Sequence, residues 1–163
     1  MKATCTLTYE GLQHVWNVLN RMPLRDRGEI NKIQAFYRVA EESVNSFNRT
    51  IEDTMRPVKM LKEKANDFQR GKDSTADERF EAGEAYEKAL AEANKELEKY
   101  ARENTVTIEL DRESFAFVKA LYEKYITVSY HEEDNQPVAG VKGAADIRRF
   151  DETLAALDAA EIN

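Results

Sequence analysis

Hydrophobic positions recur along this chain with two different periods. From Ala3 to Thr8 they alternate, with Cys5 and Leu7 on one side and Thr4, Thr6 and Thr8 on the other. That pattern predicts a short, half-buried strand. An amphipathic helix is expected next, because Leu12, Val15, Trp16, Leu19 and Met22 share one face. It should end at Met22-Pro23-Leu24, since the residue before a proline disfavours the α region.

The longest signal follows. Ile30, Ile33, Tyr37, Ala40, Val44, Phe47, Ile51, Thr54, Val58, Leu61, Ala65 and Phe68 are spaced alternately by three and four, and only Thr54 among them is polar. A seam of this length is coiled-coil-like. A helix of about 40 residues would run roughly 60 Å, so it is expected to project. The apolar phase survives Pro57, which predicts a kinked helix rather than two separate ones. Gly71 is a helix stop, and Thr75 with Glu78 has capping-box spacing. A second helix then carries Phe80 or Gly83, followed by Tyr86, Leu90, Ala93, Leu97 and Tyr100. Two seams joined by about four residues predict an antiparallel hairpin over about residues 29–103, with Gly83 and Ala93 allowing close approach.

Alternation returns at Thr105 to Leu110, where Val106, Ile108 and Leu110 face inward. Asp111 is a suitable N-cap for a helix bearing Phe115, Val118, Leu121, Tyr122 and Tyr125. Pairing this strand with the first would satisfy an edge of each. Residues 127–143 read as a polar loop or exposed hairpin, with Ile126 and Val128 in a short strand. A last helix carries Ile147, Phe150, Leu154 and Leu157. The expected fold is therefore mainly α with a small β element (α+β), as one domain over residues 1–163. A long antiparallel coiled-coil-like helical hairpin is expected to stand on a base formed by about residues 1–27 and 104–163. That base would hold a two-stranded sheet and short helices.

Composition narrows the function classes. The 163 residues carry a net charge of −7. Residues 105–163 alone hold six basic against twelve acidic groups. A phosphate backbone needs a positive surface, which argues against nucleic acid as partner. The basic residues Arg21, Arg25 and Arg27 read as a solvated connection around Pro23. No apolar run approaches the ~20 residues of a membrane span, and no apolar leader opens the chain. A cytoplasmic protein is the expectation. The single cysteine, Cys5, excludes an internal disulfide and reads as a buried structural thiol.

The chain offers little catalytic chemistry. His14 and His131 are the only histidines, and nothing in the spacing brings either to Cys5. His131-Glu132-Glu133-Asp134 lacks the helical spacing that converges on a metal, and reads as an acidic turn. The Glu/Lys pairs of the second long helix are the ordinary surface of an exposed helix. No phosphate-binding glycine loop is present. No catalytic residue, metal, cofactor or small-molecule substrate is therefore assigned. The aromatic residues suggest contact instead. Phe117, Tyr122, Tyr125, Tyr130 and Trp16 are the candidate protein interface, because aromatic side chains are enriched at interface hot spots. The alternative for Tyr122 and Tyr125 is packing in the core.

One resemblance is carried by Leu12 to Leu24 running into Phe36, the Glu/Lys-rich hairpin, Val106-Thr107-Ile108-Glu109-Leu110, and Gly140 to Phe150 with Leu154. In that order of elements the chain resembles small tailed-phage proteins of unknown function. The resemblance implies a phage origin, no enzyme activity, and a place in the host cytoplasm or on the virion. The expected function is a non-enzymatic protein–protein interaction or assembly protein that self-associates. The alternative is a phage-encoded inhibitor that binds a host defence protein or nuclease.

Overall fold

The computed structural model describes residues 1–71, 73–127, 130–131, 136–137 and 143–163. The fold is mainly α with a small β element. Its elements are β1 (Lys2–Thr8), α1 (Tyr9–Arg21), α2 (Arg27–Arg70), α3 (Ala76–Glu103), β2 (Thr105–Asp111), α4 (Arg112–Thr127), β3 (Tyr130–His131), β4 (Gln136–Pro137), α5 (Gly143–Asp158) and β5 (Glu161–Ile162). They divide into two compact units. Unit 1 holds residues 1–44 and 102–163, and unit 2 holds residues 45–101.

In unit 1, β1 and β2 pair antiparallel in the register Lys2↔Asp111 through Thr8↔Thr105. The alternation works as expected: Ala3, Cys5, Leu7, Ile108 and Leu110 are buried. The threonines stand on the other face, where Thr6 Oγ1 and Thr107 Oγ1 lie 2.9 Å apart. The expected two-stranded sheet is in fact three-stranded, in the order β2-β1-β5. Two-residue β5 has no alternation to read. It is held by Lys2 N–H donating to the Asn163 carbonyl at 3.0 Å and Asn163 N–H donating to the Lys2 carbonyl at 2.9 Å. β3 and β4 form a separate two-stranded antiparallel pair. Ile126 belongs to α4, which runs to Thr127, instead of to a strand, and Val128 lies outside the described residues.

Helices α1, α4 and α5 and the first part of α2 build the unit 1 core with Leu12, Val15, Leu19, Phe36, Ala40, Val118, Tyr122, Phe150 and Leu157. Local chemistry starts these helices. Thr8 Oγ1 accepts from Gly11 N–H at 3.0 Å, and Asp111 Oδ1 accepts from Ser114 N–H at 2.8 Å. Each is an N-cap that satisfies an otherwise orphaned donor. Gly11 sits in a tight spot: a Cβ there would meet Thr153 Oγ1 and Thr8 Oγ1, each at 3.2 Å.

In unit 2, α2 passes through Pro57 and stays helical to Arg70. Phe47, Val58, Ala65, Ala93 and Ala101 are buried, and the Phe47 ring stacks on Tyr100 with centroids 6.2 Å apart. Gly71 N–H donates to the Asp67 carbonyl at 2.9 Å, and the Ser74 hydroxyl donates to the Phe68 and Gly71 carbonyls. Thr75 Oγ1 accepts from Glu78 N–H at 3.2 Å and lies 3.2 Å from Glu78 Oε1, which starts α3. Ile30, expected on the first seam, and Phe80, one of two alternatives for the second, are exposed, as is Ile147 of α5. Gly83 is not a close-approach position, because a Cβ there would meet nothing within 4 Å. Among the described residues, no helix is long and apolar enough to cross a membrane.

Candidate protein interface

The structure buries two of the five aromatic residues expected to form a contact patch. Tyr122 is 0% exposed, with its ring stacked on Phe150 at 5.0 Å. Its hydroxyl lies 2.7 Å from His14 Nδ1. Tyr125 is 8% exposed and meets the edge of the His14 ring at 6.1 Å. Both are core residues, so neither belongs to a contact surface. The wide apolar stripe of α4 is absorbed because α1 and α5 both pack on it. Trp16 is half-buried against Tyr37, with centroids 4.4 Å apart. Phe117 is also half-buried, with the Lys32 ammonium 5.5 Å from its ring centroid. Of the four whose side chains are described, Trp16 and Phe117 are the half-buried ones. Tyr130 falls in β3, and its side chain lies outside the description.

The chemistry of unit 1 is that of a satisfied core. Cys5 is buried, its thiol contacts the Ala156 carbonyl at 3.4 Å, and burial pushes its pKa up to about 11. A thiol held protonated at neutral pH is a poor nucleophile. Burial, and then the positive charge of Arg149, hold the His14 imidazole below its ordinary pKa. Burial raises the Tyr122 phenol well above its own. Neutral His14 is thus matched to a neutral phenol. Among the described residues no group of three or more His, Cys, Asp or Glu could hold a metal ion. Glu132, Glu133 and Asp134, weighed as ligands beside His131, lie outside the described residues.

Sequence reasoning missed a charged cluster at the start of α1. Glu10 is contacted by Arg149 Nε at 3.0 Å, by an Arg148 guanidinium nitrogen at 3.3 Å, and by Arg102 Nε at 3.9 Å. Arg148 also pairs with Glu152 at 2.9 Å, and Arg149 with Asp146 at 3.6 Å. The adjoining cleft, between Thr6 to Thr8 and Arg149 to Ala156, is about 110 Å³. That is well below the few hundred Å³ of a small-molecule site. The cluster ties α1 to α5. Only the local pairs, Arg148–Glu152 and Asp146–Arg149, have a spacing visible in sequence; Glu10 is far from Arg102, Arg148 and Arg149 along the chain.

Unit 2 holds the more open apolar feature. Near the turn between its helices, Leu61, Phe68, Ala82 and Ala85 floor a groove of about 190 Å³ with Lys64, Glu78 and Glu81 around it. Two large apolar side chains of this unit are strongly exposed: Met60 at 66% and Phe80 at 65%. An apolar floor ringed by charges of both signs suits contact with another chain more than chemistry. Neither Phe80 nor Gly83, the two alternatives for the start of the second seam, lines the groove. Comparison with known proteins adds no relative: no family model, no curated protein and no solved structure matches the chain.

Proposed function

We propose that this chain is a non-enzymatic protein–protein interaction or assembly protein. Its α2 and α3 form a coiled-coil-like antiparallel hairpin whose turn-end groove receives a partner chain. The observation that carries the reading is this groove, in the same unit as exposed Phe80 and Met60. Leaving a large apolar side chain in water forgoes roughly 1.5–3 kcal/mol of burial, which a bound partner would recover. Phe117 and Trp16 are the secondary contact candidates, as half-buried aromatics with some surface to offer. Self-association is one form of this function. The likeness to small tailed-phage proteins directs the search for other partners to infected host cells.

The test is capture of binding partners from the native cells with the wild-type chain, with Ala85→Asp in the groove and with Phe80→Asp outside it. Both residues are exposed, so neither substitution should change the melting temperature much. Ala85→Asp should weaken partner capture at least tenfold, as expected on placing a charge in an interface core. Undiminished capture by a folded Ala85→Asp protein would remove the groove from the interface, and undiminished capture by Phe80→Asp would remove Phe80. A turnover reaction that survives Phe80→Asp would replace the binding reading with an enzymatic one.

A further inference from the structure

The free edge of β2 is a second feature that neither the fold nor the groove uses. Its hydrogen-bonding pattern follows from its pairing with β1. Tyr9 N–H donates to the Asn104 carbonyl at 3.1 Å, and Arg112 N–H donates to the Met1 carbonyl at 3.4 Å. In an antiparallel ladder, main-chain groups alternate between the two sides of the strand. The even-numbered residues of β2 therefore turn their N–H and C=O groups toward β1. Thr105, Thr107, Glu109 and Asp111 turn theirs away, and no described strand pairs with that side. The opposite edge of the sheet is only the two-residue β5.

A long open edge is a template for strand pairing, and proteins usually blunt it with proline, lysine, a bulge or shortness. β2 has no proline, lysine or bulge; its charged residues are Glu109, which is paired with Lys2, and Asp111. It spans seven residues, reads TVTIELD, and pairs one-to-one with β1 throughout. Its four outward-turned residues are all exposed.

We propose that two copies of this chain associate by antiparallel pairing of β2 with β2, centred on Ile108, which joins their sheets into one. The proposal rests on the self-association form of the reading above and assigns it a site outside the hairpin. The sequence of the strand selects the occupant. With Ile108 opposite its own copy, Thr107 faces Glu109 of the second copy, Thr105 faces Asp111, and Val106 faces Leu110. Outward-turned residues then meet outward-turned residues, giving about six main-chain hydrogen bonds, because the Asp111 carbonyl already serves the first turn of α4. Acidic residues face threonines and apolar residues face apolar ones. A slip of one residue sets outward groups against the even-numbered positions already bonded to β1. A slip of two sets Glu109 against Glu109, or leaves Asp111 beyond the strand. Full-length pairing without opposed acids has this one register.

Sedimentation equilibrium of the full chain tests it, with Thr107→Pro, Thr107→Glu and Thr107→Lys beside the wild type. Thr107→Pro deletes an outward N–H and keeps the ladder to β1, as proline is tolerated on edge strands. Counted twice by symmetry, that loss should weaken dimerisation by about tenfold or more. Thr107→Glu opposes Glu109 twice and should weaken it severalfold, while Thr107→Lys should tighten it severalfold at low salt. Should Thr107→Pro lose its helical circular dichroism, the opposite signs of the Glu and Lys variants decide alone. A dimer indifferent to all the folded variants overturns the β2 site and leaves self-association standing elsewhere. A wild-type monomer at high micromolar concentration overturns both, while partner capture through the unit 2 groove is scored separately.

Discussion

The two units stabilise themselves in different ways. The largest fully buried side chains, among them Tyr122, Phe36, Leu7, Leu12 and Leu157, all belong to unit 1. There a sheet offers one apolar face, and several helices close over it. In unit 2 the buried residues are Phe47, Val58, Ala65, Ala93 and Ala101, three of them alanines. Two helices alone can cover only one stripe of each other. The remaining circumference meets water, and Met60 and Phe80 stand in it. Large aromatic residues in unit 1 thus fill a closed core, whereas unit 2 leaves apolar surface exposed.

The largest test of that contrast is truncation of one buried aromatic in each unit. Phe36→Ala should cost about 3–5 kcal/mol, the range for a buried aromatic whose neighbours relax little. Phe47→Ala should cost less, about 2–3 kcal/mol, because a two-helix seam can close over the gap. Denaturant unfolding of both variants measures the difference. Equal losses would mean that the unit 2 seam is as constrained as a closed core.

Much of this division was legible in the sequence. The period-2 runs around Cys5 and Ile108 located both long strands, because each buries one face. The caps at Thr75 and Asp111 were legible because capping is local chemistry. Tyr122 and Tyr125 were harder, since an apolar stripe does not reveal how many neighbours will cover it. Here α1 and α5 both pack on α4, and His14 supplies the polar partner for the Tyr122 hydroxyl. The Glu10 cluster and β5 depended on long-range contacts that no spacing encodes. The free edge of β2 became visible only once strand order was known.

Pro57 probes unit 2 in the stabilising direction. It is exposed within a continuous helix and cannot donate to the Asp53 carbonyl one turn earlier. Pro57→Ala should restore that hydrogen bond and stabilise the protein by up to about 3 kcal/mol. A higher melting temperature checks it. A loss of stability would show that the proline sets a bend on which the seam depends.

The next test returns to unit 1 and to pH. The folded-state pKa of His14 is depressed by burial and then by Arg149, so the unfolded chain takes up its proton first as pH falls. The contribution from this residue is fully present above the unfolded value near 6.5 and is lost as pH drops from there toward the folded value. Melting temperature should therefore decline from pH 7 to pH 5.5. His14→Gln should flatten that slope while retaining a polar partner for Tyr122. An unchanged slope in the variant would assign the decline to other groups.

The smallest expected effects come from two glycines that separate the units by sign. Gly83 lies inside α3 with open space where a Cβ would stand. Gly83→Ala should therefore stabilise by about 0.5–1 kcal/mol, because alanine lowers the entropy that a helix must fix. Gly11 also lies in a helix, so propensity alone predicts the same gain. Packing opposes it, since an added Cβ would sit 3.2 Å from two hydroxyls that are themselves pinned. Thr8 Oγ1 caps α1 through Gly11 N–H, and Thr153 Oγ1 donates to the Arg149 carbonyl at 2.7 Å. Neither can retreat without stretching its own bond, so Gly11→Ala should be destabilising despite the better propensity. Chemical denaturation of the two variants side by side gives the comparison, and a gain at both positions would show that the α1–α5 contact has slack.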